Sequence, residues 1–377
     1  MKHTTNKKVI AIVMGTRPEA IKLSPVIQAL RKRTDVFKVS LIVTAQHREM
    51  IDQVLPIFNI KPDFDLNIMK KDQTLHEITL NILTKIRGVF RVISPSIVLV
   101  QGDTTTTFAS ALAAFYDKIP VGHIEAGLRT YARYYPFPEE MNRKLVSALG
   151  TFHFAPTERA AEALRREGID SQNIFVTGNT VIDALHQVGI SDNKESQLSF
   201  LNGKDRIILV TAHRRESLNG GLKLICQSVK TLLKAEQDAV VVFPLHLNPR
   251  VQQVARENLG NHERVFLCGP LDYRSFVSVM RRAELILTDS GGIQEEAPSM
   301  GVPVVVLRNE TERVEAIESG LVAIAGLNPK KIVEKSLQFL KKPRKSVMNN
   351  NSPYGDGKAS RRIVSILLKL IRTGKIN

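Results

Sequence analysis

The chain of 377 residues is too long for one compact core and suits two domains of ordinary size. Its 43% hydrophobic and 24% charged content excludes a disordered polymer, and no run approaches the ~18 apolar residues needed to cross a bilayer. The net charge is +16, and the last 37 residues hold ten Lys or Arg against one acid, Asp356; without aromatic interleaving, this basic end reads as a solvated face rather than a nucleic-acid or membrane site.

The opening "MKHTTNKKVIAIVMGTRPE" has no small-residue cleavage site and runs straight into Arg17, so residues 9–14 read as a buried strand rather than a secretion signal. Further short apolar runs follow, each trailed by a turn and a helix-length segment: "VSLIVTA", "SIVLVQGD", "PVGHIEAG", "IFVTGN", "RIILVTAH", "AVVVFPLH", "VFLCG", "LILTDSGG" and "VPVVVLR". Continuous rather than alternating runs belong to parallel strands buried on both faces. The predicted fold class is therefore α/β, with two Rossmann-like doubly wound domains facing across a cleft. The polar stretch 191–206, or a position slightly before it, marks the linker, and the domains are drawn as 1–185, 186–355 and a closing segment 356–377. In that segment Ile363, Ile366, Leu367 and Leu370 recur at helical spacing after the loop "NNNSPYGDGKAS". Cys226 and Cys268 are far apart and lack a CxxC partner, which fits a reducing cytoplasm and argues against a cysteine-rich metal site.

Ligands of open parallel sheets settle beyond the carboxyl ends of the strands, so residues there carry the chemistry. Arg17 and Lys22 flank the helix start in "VMGTRPEAIKLSP"; they face either an anionic ligand or Glu19 as a surface pair. Ser290, Gly291 and Gly292 lie between a strand and a helix, a geometry for phosphate oxygens, with Glu296 placed for a ribose diol; the duller alternative makes Ser290 a helix cap. The motif is neither a Walker sequence nor GxGxxG, so ATPase and nicotinamide chemistry lose support. His213 in "LVTAHRRES" and His246 in "FPLHLNPR" also end strands. Asp103, Glu125 and Glu139 occupy comparable positions in the first half. Capping explains Asp103 and a helix dipole explains Glu139, but Glu125 has no obvious capping role. Three such acids suggest acid–base chemistry on a nucleotide-linked substrate.

These motifs, together with "TAQHREMIDQVL", "VQGDTTTTFASALAAFY", "HIEAGLRT", "PFPEEMNR", "FVTGNTVIDAL", "SGGIQEEAPSMGVPV" and "TERVEAI", resemble the non-hydrolysing UDP-N-acetylglucosamine 2-epimerases over nearly the whole chain. The resemblance implies a GT-B-like fold with the closing helix returning to the first domain. It places Asp103, Glu125, Glu139 and His213 among the catalytic residues. It assigns the UDP part to Arg17, Lys22, Leu271, Phe276, Ser290, Gly291, Gly292, Glu296 and Arg313.

The activity implied is reversible epimerisation at carbon two of UDP-N-acetylglucosamine to UDP-N-acetylmannosamine through elimination and return of UDP. No NAD and no metal are expected, and the anticipated form is a cytoplasmic homodimer supplying surface-polysaccharide precursors. Gln46, Arg214 and His246 match positions that contact a second, activating UDP-sugar in some members. Glu49 and Asp72, standing where certain members carry glutamine and arginine, weaken that expectation. Tyr135 and Val314 are further departures. The alternatives are a hydrolysing 2-epimerase, a GT-B glycosyltransferase using a UDP-sugar, and a polyanion-binding protein built on the basic tail.

Overall fold

A computed structural model describes residues 7–46, 48–70, 72–188, 201, 203, 206–212, 220–311, 313–342 and 352–376. The chain forms two compact units, Met1–Gln187 with Tyr354–Asn377, and Val188–Pro353. In the first unit seven parallel strands, β1 (Lys8–Met14), β2 (Phe37–Val43), β3 (Phe64–Asp65), β4 (Ile97–Gln101), β5 (Val121–Ile124), β6 (Phe152–Ala155) and β7 (Ile174–Val176), lie in the order 3-2-1-4-5-6-7. In the second, β8 (Arg206–Thr211), β9 (Ala239–Pro244), β10 (Val265–Cys268), β11 (Ala283–Thr288), β12 (Val304–Val306) and β13 (Val322–Ile324) lie in the order 10-9-8-11-12-13. Every pair is parallel. Both sheets are thus Rossmann-like, as predicted.

The strands with continuous apolar runs are central and buried. β1 pairs with β2 and β4 through Ile10, Ala11 and Ile12, all without solvent exposure. Helices Leu75–Ile93 and Thr105–Tyr116 cover one face of this sheet, bringing Ile82, Ile86, Phe90 and Ala109 onto Val98 and Val100. In the second unit Ile225, Val229 and Leu232 of helix Leu222–Ala235 pack on Val241, Phe243 and Leu285. Three strands have no counterpart among the apolar runs read from the sequence. β3 has two residues, β13 has three, and His153 interrupts the apolar pattern of β6.

The closing helix, Ala359–Arg372, belongs to the first unit and buries Ile363, Val364, Leu367 and Leu370 there. Its free amino end is capped from elsewhere in the chain. Asp183 accepts from the amides of Ala359 (3.1 Å) and Ser360 (2.9 Å) and from the Ser360 hydroxyl (2.5 Å). Just before it, Gly178 and Gly355, both with positive φ, pass so closely that a Cβ on Gly355 would lie 3.2 Å from the Gly178 Cα. Arg361, Arg362, Lys369 and Arg372 remain exposed on its outer face. Among the described residues no helix is long and apolar enough to cross a membrane.

Each sheet reverses its strand order once, between β1 and β4 and between β8 and β11. In open α/β sheets this switch point is where ligands bind. Gly15–Arg17 and Gly102–Asp103 follow one pair of strands, and Asp289–Gly292 follows β11 in the other.

Candidate functional site

At the first switch point the two turns are tied together by Glu19. Its Oε2 accepts from the amides of Gly15 (2.8 Å) and Thr16 (2.7 Å), and its Oε1 from the hydroxyls of Thr104 (2.6 Å) and Thr107 (2.9 Å). Amides at a helix amino end normally attract an anionic ligand, and here a side-chain carboxylate takes that place. Gly15 is required for the close approach: a Cβ there would lie 2.1 Å from Thr106 Oγ1 and 2.3 Å from Thr44 Oγ1. The surface pair weighed for Glu19 and Lys22 does not form, because Glu19 is buried among these donors and Lys22 turns to Glu125.

Glu125 stands at the end of β5 with a φ of 63°, a left-handed conformation that is uncommon for a residue with a side chain. Lys22 Nζ donates to both of its carboxylate oxygens at 2.6 Å, and Gln101 Nε2 donates to Oε2. Lys22 and Glu125 are each 7% exposed, so this is a buried ion pair.

Asp103 follows β4. It does not cap the next helix; Thr104 does, its hydroxyl accepting from the Thr107 amide (3.1 Å). Arg143 Nη1 instead donates to Asp103 Oδ2 (2.7 Å), and Asn142 Nδ2 donates to the Asp103 carbonyl (2.9 Å). Although 30% of the Asp103 side chain still reaches solvent, the surrounding protein desolvates its carboxyl and pushes it up to about 6. Arg143 and Lys22 oppose that rise, while the charges of Glu125 and Glu139 add to it. Asp103 therefore feels the charges of both other carboxylates. Glu139 is the first residue of helix Glu139–Leu149, where its charge also suits the helix dipole, and its Oε2 is buried with no hydrogen-bond partner.

Three supporting residues escape sequence reading. Arg143, one helical turn after Glu139, also donates through Nε to Glu140 (2.8 Å). Glu140 is completely buried and accepts from the amides of Thr130 and Tyr131, both at 3.0 Å. Burial pushes Glu140 up, but hydrogen bonding from Thr130 and the charge of Arg143 outweigh it and hold the carboxyl below its usual range. His123 donates from Nε2 to the Gly102 carbonyl (2.8 Å), fastening the Asp103 turn to β5. Burial, reinforced by neighbouring His153, drives His123 down to about 3, so the ring is neutral at physiological pH. The "EEMNR" spacing held the signal for Arg143, since residues three and four apart share a helix face.

The second unit assembles a different set. Gly291 and Gly292 lead into helix Ile293–Ser299, whose N-cap is Gly292 rather than Ser290. The Arg313 guanidinium lies against Gly291, where an added Cβ would be 2.8 Å from Nη1, and its Nε donates to Glu295 Oε1 (2.7 Å). Glu296 is on the same helix turn and 8% exposed. Leu271 is buried, and Phe276 is half-buried in helix Tyr273–Arg282, which Asp272 caps through the amides of Arg274 and Ser275. Arg17, half-buried, opens helix Arg17–Arg31 in the first unit.

Gln46, also in the first unit, accepts from Thr106 Oγ1 (2.9 Å), and exposed His246, in the second, accepts at Nδ1 from the Asn248 amide (3.1 Å). His213 and Arg214 lie outside the described residues.

A family model described as UDP-N-acetylglucosamine 2-epimerase matches residues 28–368. The UDP-N-acetylglucosamine 2-epimerase of Salmonella typhimurium is 49% identical over 368 residues, 95% of this chain and 98% of its own. Among solved structures, the UDP-GlcNAc 2-epimerase from Neisseria meningitidis bound to UDP-GlcNAc aligns with a TM-score of 0.89 at 49% identity, over 96% of this chain and 100% of the other. The enzyme from Methanocaldococcus jannaschii in complex with UDP-GlcNAc and UDP aligns with a TM-score of 0.83 at 38% identity, over 96% and 99%. The chain belongs to the UDP-N-acetylglucosamine 2-epimerase family.

Proposed function

We propose that the protein interconverts UDP-N-acetylglucosamine and UDP-N-acetylmannosamine without releasing free sugar. The observation that carries this reading is the cluster of Asp103, Glu125 and Glu139, in which Asp103 is pushed up to about 6 while Glu125 is held by a buried cation. Proton transfer at a carbon needs one group to take a proton and another to return it, and carboxylates in unlike surroundings supply both roles.

The hydrogen on carbon two of the sugar is weakly acidic. Its removal is coupled to leaving-group loss: a carboxylate takes the proton, the C1–C2 double bond forms, and the C1–O bond breaks so that its electron pair departs with UDP. The 2-acetamidoglucal intermediate is then protonated at carbon two from the opposite face, and a UDP oxygen re-forms the bond to carbon one. Atoms and charge balance without a nicotinamide or a metal.

The UDP part is assigned to Arg17, Leu271, Phe276, Ser290, Gly291, Gly292, Glu296 and Arg313, and a catalytic role to His213. Donors aimed at the departing phosphate stabilise its growing charge. Two copies are proposed to pair, in the cytoplasm, and the product to feed surface-polysaccharide synthesis.

Incubation with UDP-N-acetylglucosamine in heavy water, followed by proton NMR, tests the reaction. UDP-N-acetylmannosamine carrying deuterium at carbon two is expected. Free N-acetylmannosamine as sole product would mark a hydrolysing enzyme, and sugar transfer only in the presence of an acceptor would mark a glycosyltransferase.

A further inference from the structure

We infer that Lys22 is a positioning residue of the proton-transfer apparatus, the fixed counter-charge of Glu125, rather than a ligand of the UDP phosphates. The inference rests on the epimerase reading and reassigns one residue within it. Three observations support it.

Lys22 Nζ sits 2.6 Å from each Glu125 oxygen, a chelate that fixes both the plane of the carboxylate and its distance from the amine. Gln101, from β4, completes the grip on Oε2. The carboxylate so held belongs to a residue with a left-handed backbone, a conformation that persists only where the surroundings enforce it and that recurs at functional sites.

Burial decides between the two roles. The side chains of Lys22 and Glu125 are only 9% and 4% exposed. Drawing Lys22 across to a phosphate would leave the Glu125 charge without its cation in a poorly solvated position, which is the costly way to break a buried pair. A phosphate contact that must first undo this pair gains little. A lysine that stays with Glu125 keeps that carboxylate charge-compensated and aimed.

The other charged groups around Glu125 are arranged consistently. Asp103 follows β4, while Glu139 and Arg143 come from helix Glu139–Leu149, and His123 on β5 is neutral. Arg143 is committed to Asp103 and Glu140. Among the described residues Lys22 is therefore the cation joined to Glu125. Its charge also lowers the Asp103 carboxyl, so its influence extends to the whole cluster.

The test compares wild type, K22M and K22R in steady-state epimerisation, in UDP binding by calorimetry, and in the pH profile of kcat/KM. In K22M, kcat is expected to fall on the order of a hundredfold, the lower end of what general acid–base groups contribute. KM and the Kd for UDP should stay within about threefold, because the ligand has lost no contact. The acidic limb of the profile should move to higher pH, and K22R, which keeps the charge, should recover part of kcat.

The opposite split, with KM and the UDP Kd rising about tenfold or more while kcat and the acidic limb hold, would show Lys22 on the phosphates and overturn the inference. If K22M does not fold, K22Q removes the charge while keeping a donor, and the same split is read there. Wild type that gives no labelled product would defeat the epimerase reading itself. In that event the Asp103 carboxyl, followed by carbon NMR in the unliganded protein, still reports the inference: it should titrate higher in K22M than in wild type, and an unchanged titration refutes it.

Discussion

The guanidinium of Arg143 donates to the Asp103 carboxylate at 2.7 Å while only 4% of its side chain is exposed, and its Nε holds Glu140, which is exposed not at all. One cation thus compensates two acids of opposite character, one raised and one lowered. Removing it as R143M leaves Glu140 buried without its cation. Breaking a buried pair from one side costs about 3–5 kcal/mol, so Tm should fall steeply. Asp103 should also titrate above its wild-type value of about 6, because the largest influence opposing desolvation is gone. Calorimetric melting and a carboxyl NMR titration check the two effects separately.

Glu139 acts on Asp103 in the other direction. Its negative charge raises the Asp103 carboxyl, so E139Q should bring that titration down from about 6. The stability consequence of the raised carboxyl has a definite sign. A carboxyl raised in the folded state contributes stability that is fully present below its unfolded value of 3.8 and is lost as pH rises through about 6. D103N should remove that loss, giving a flatter dependence of Tm on pH between about 4 and 6 than wild type shows. A wild-type profile that is equally flat would contradict the raised value.

The parts of this site that could be read in the sequence are those set by local chemistry. Apolar runs with no alternation marked the buried parallel strands, and the residues following them fell at the switch points. What could not be read depends on long-range partners. Lys22 is separated from Glu125 by 103 positions, so spacing pointed to Glu19 as readily. "DTTTT" offered several neighbouring helix caps, and packing selected Thr104, freeing Asp103 for Arg143. β6 was missed because His153, buried beside His123 in register, interrupts the apolar pattern that signals a strand.

Asp183 holds the closing helix by accepting from two amides and a hydroxyl at its amino end. A side-chain cap contributes about 0.5–2 kcal/mol, and hydrogen bonds to a charged group reach about 1.5–3. D183A should therefore destabilise the first unit by about 2 kcal/mol, with D183N intermediate. The loss should be local before it is global. Hydrogen exchange is expected to quicken over Ala359–Arg372 while the amides of β1 and β4 stay protected. Uniform loss of protection would mean that the helix is not held chiefly by this cap.

Gly291 provides the corresponding test in the second unit. The Arg313 guanidinium occupies the space beside it, oriented by the 2.7 Å bond from Nε to Glu295. In G291A the new methyl would begin 2.8 Å from Nη1 and 3.0 Å from Cζ, so the guanidinium must move away from the glycine turn. If that turn and Arg313 hold the diphosphate together, KM for the UDP-sugar and the Kd for UDP should both rise about tenfold, equivalent to ~1.4 kcal/mol of lost binding. The residues proposed to transfer the proton are in the other unit, so kcat should change by no more than about twofold. Steady-state kinetics with UDP calorimetry distinguishes this from a catalytic defect: a large fall in kcat with unchanged UDP affinity would place Arg313 outside the nucleotide site.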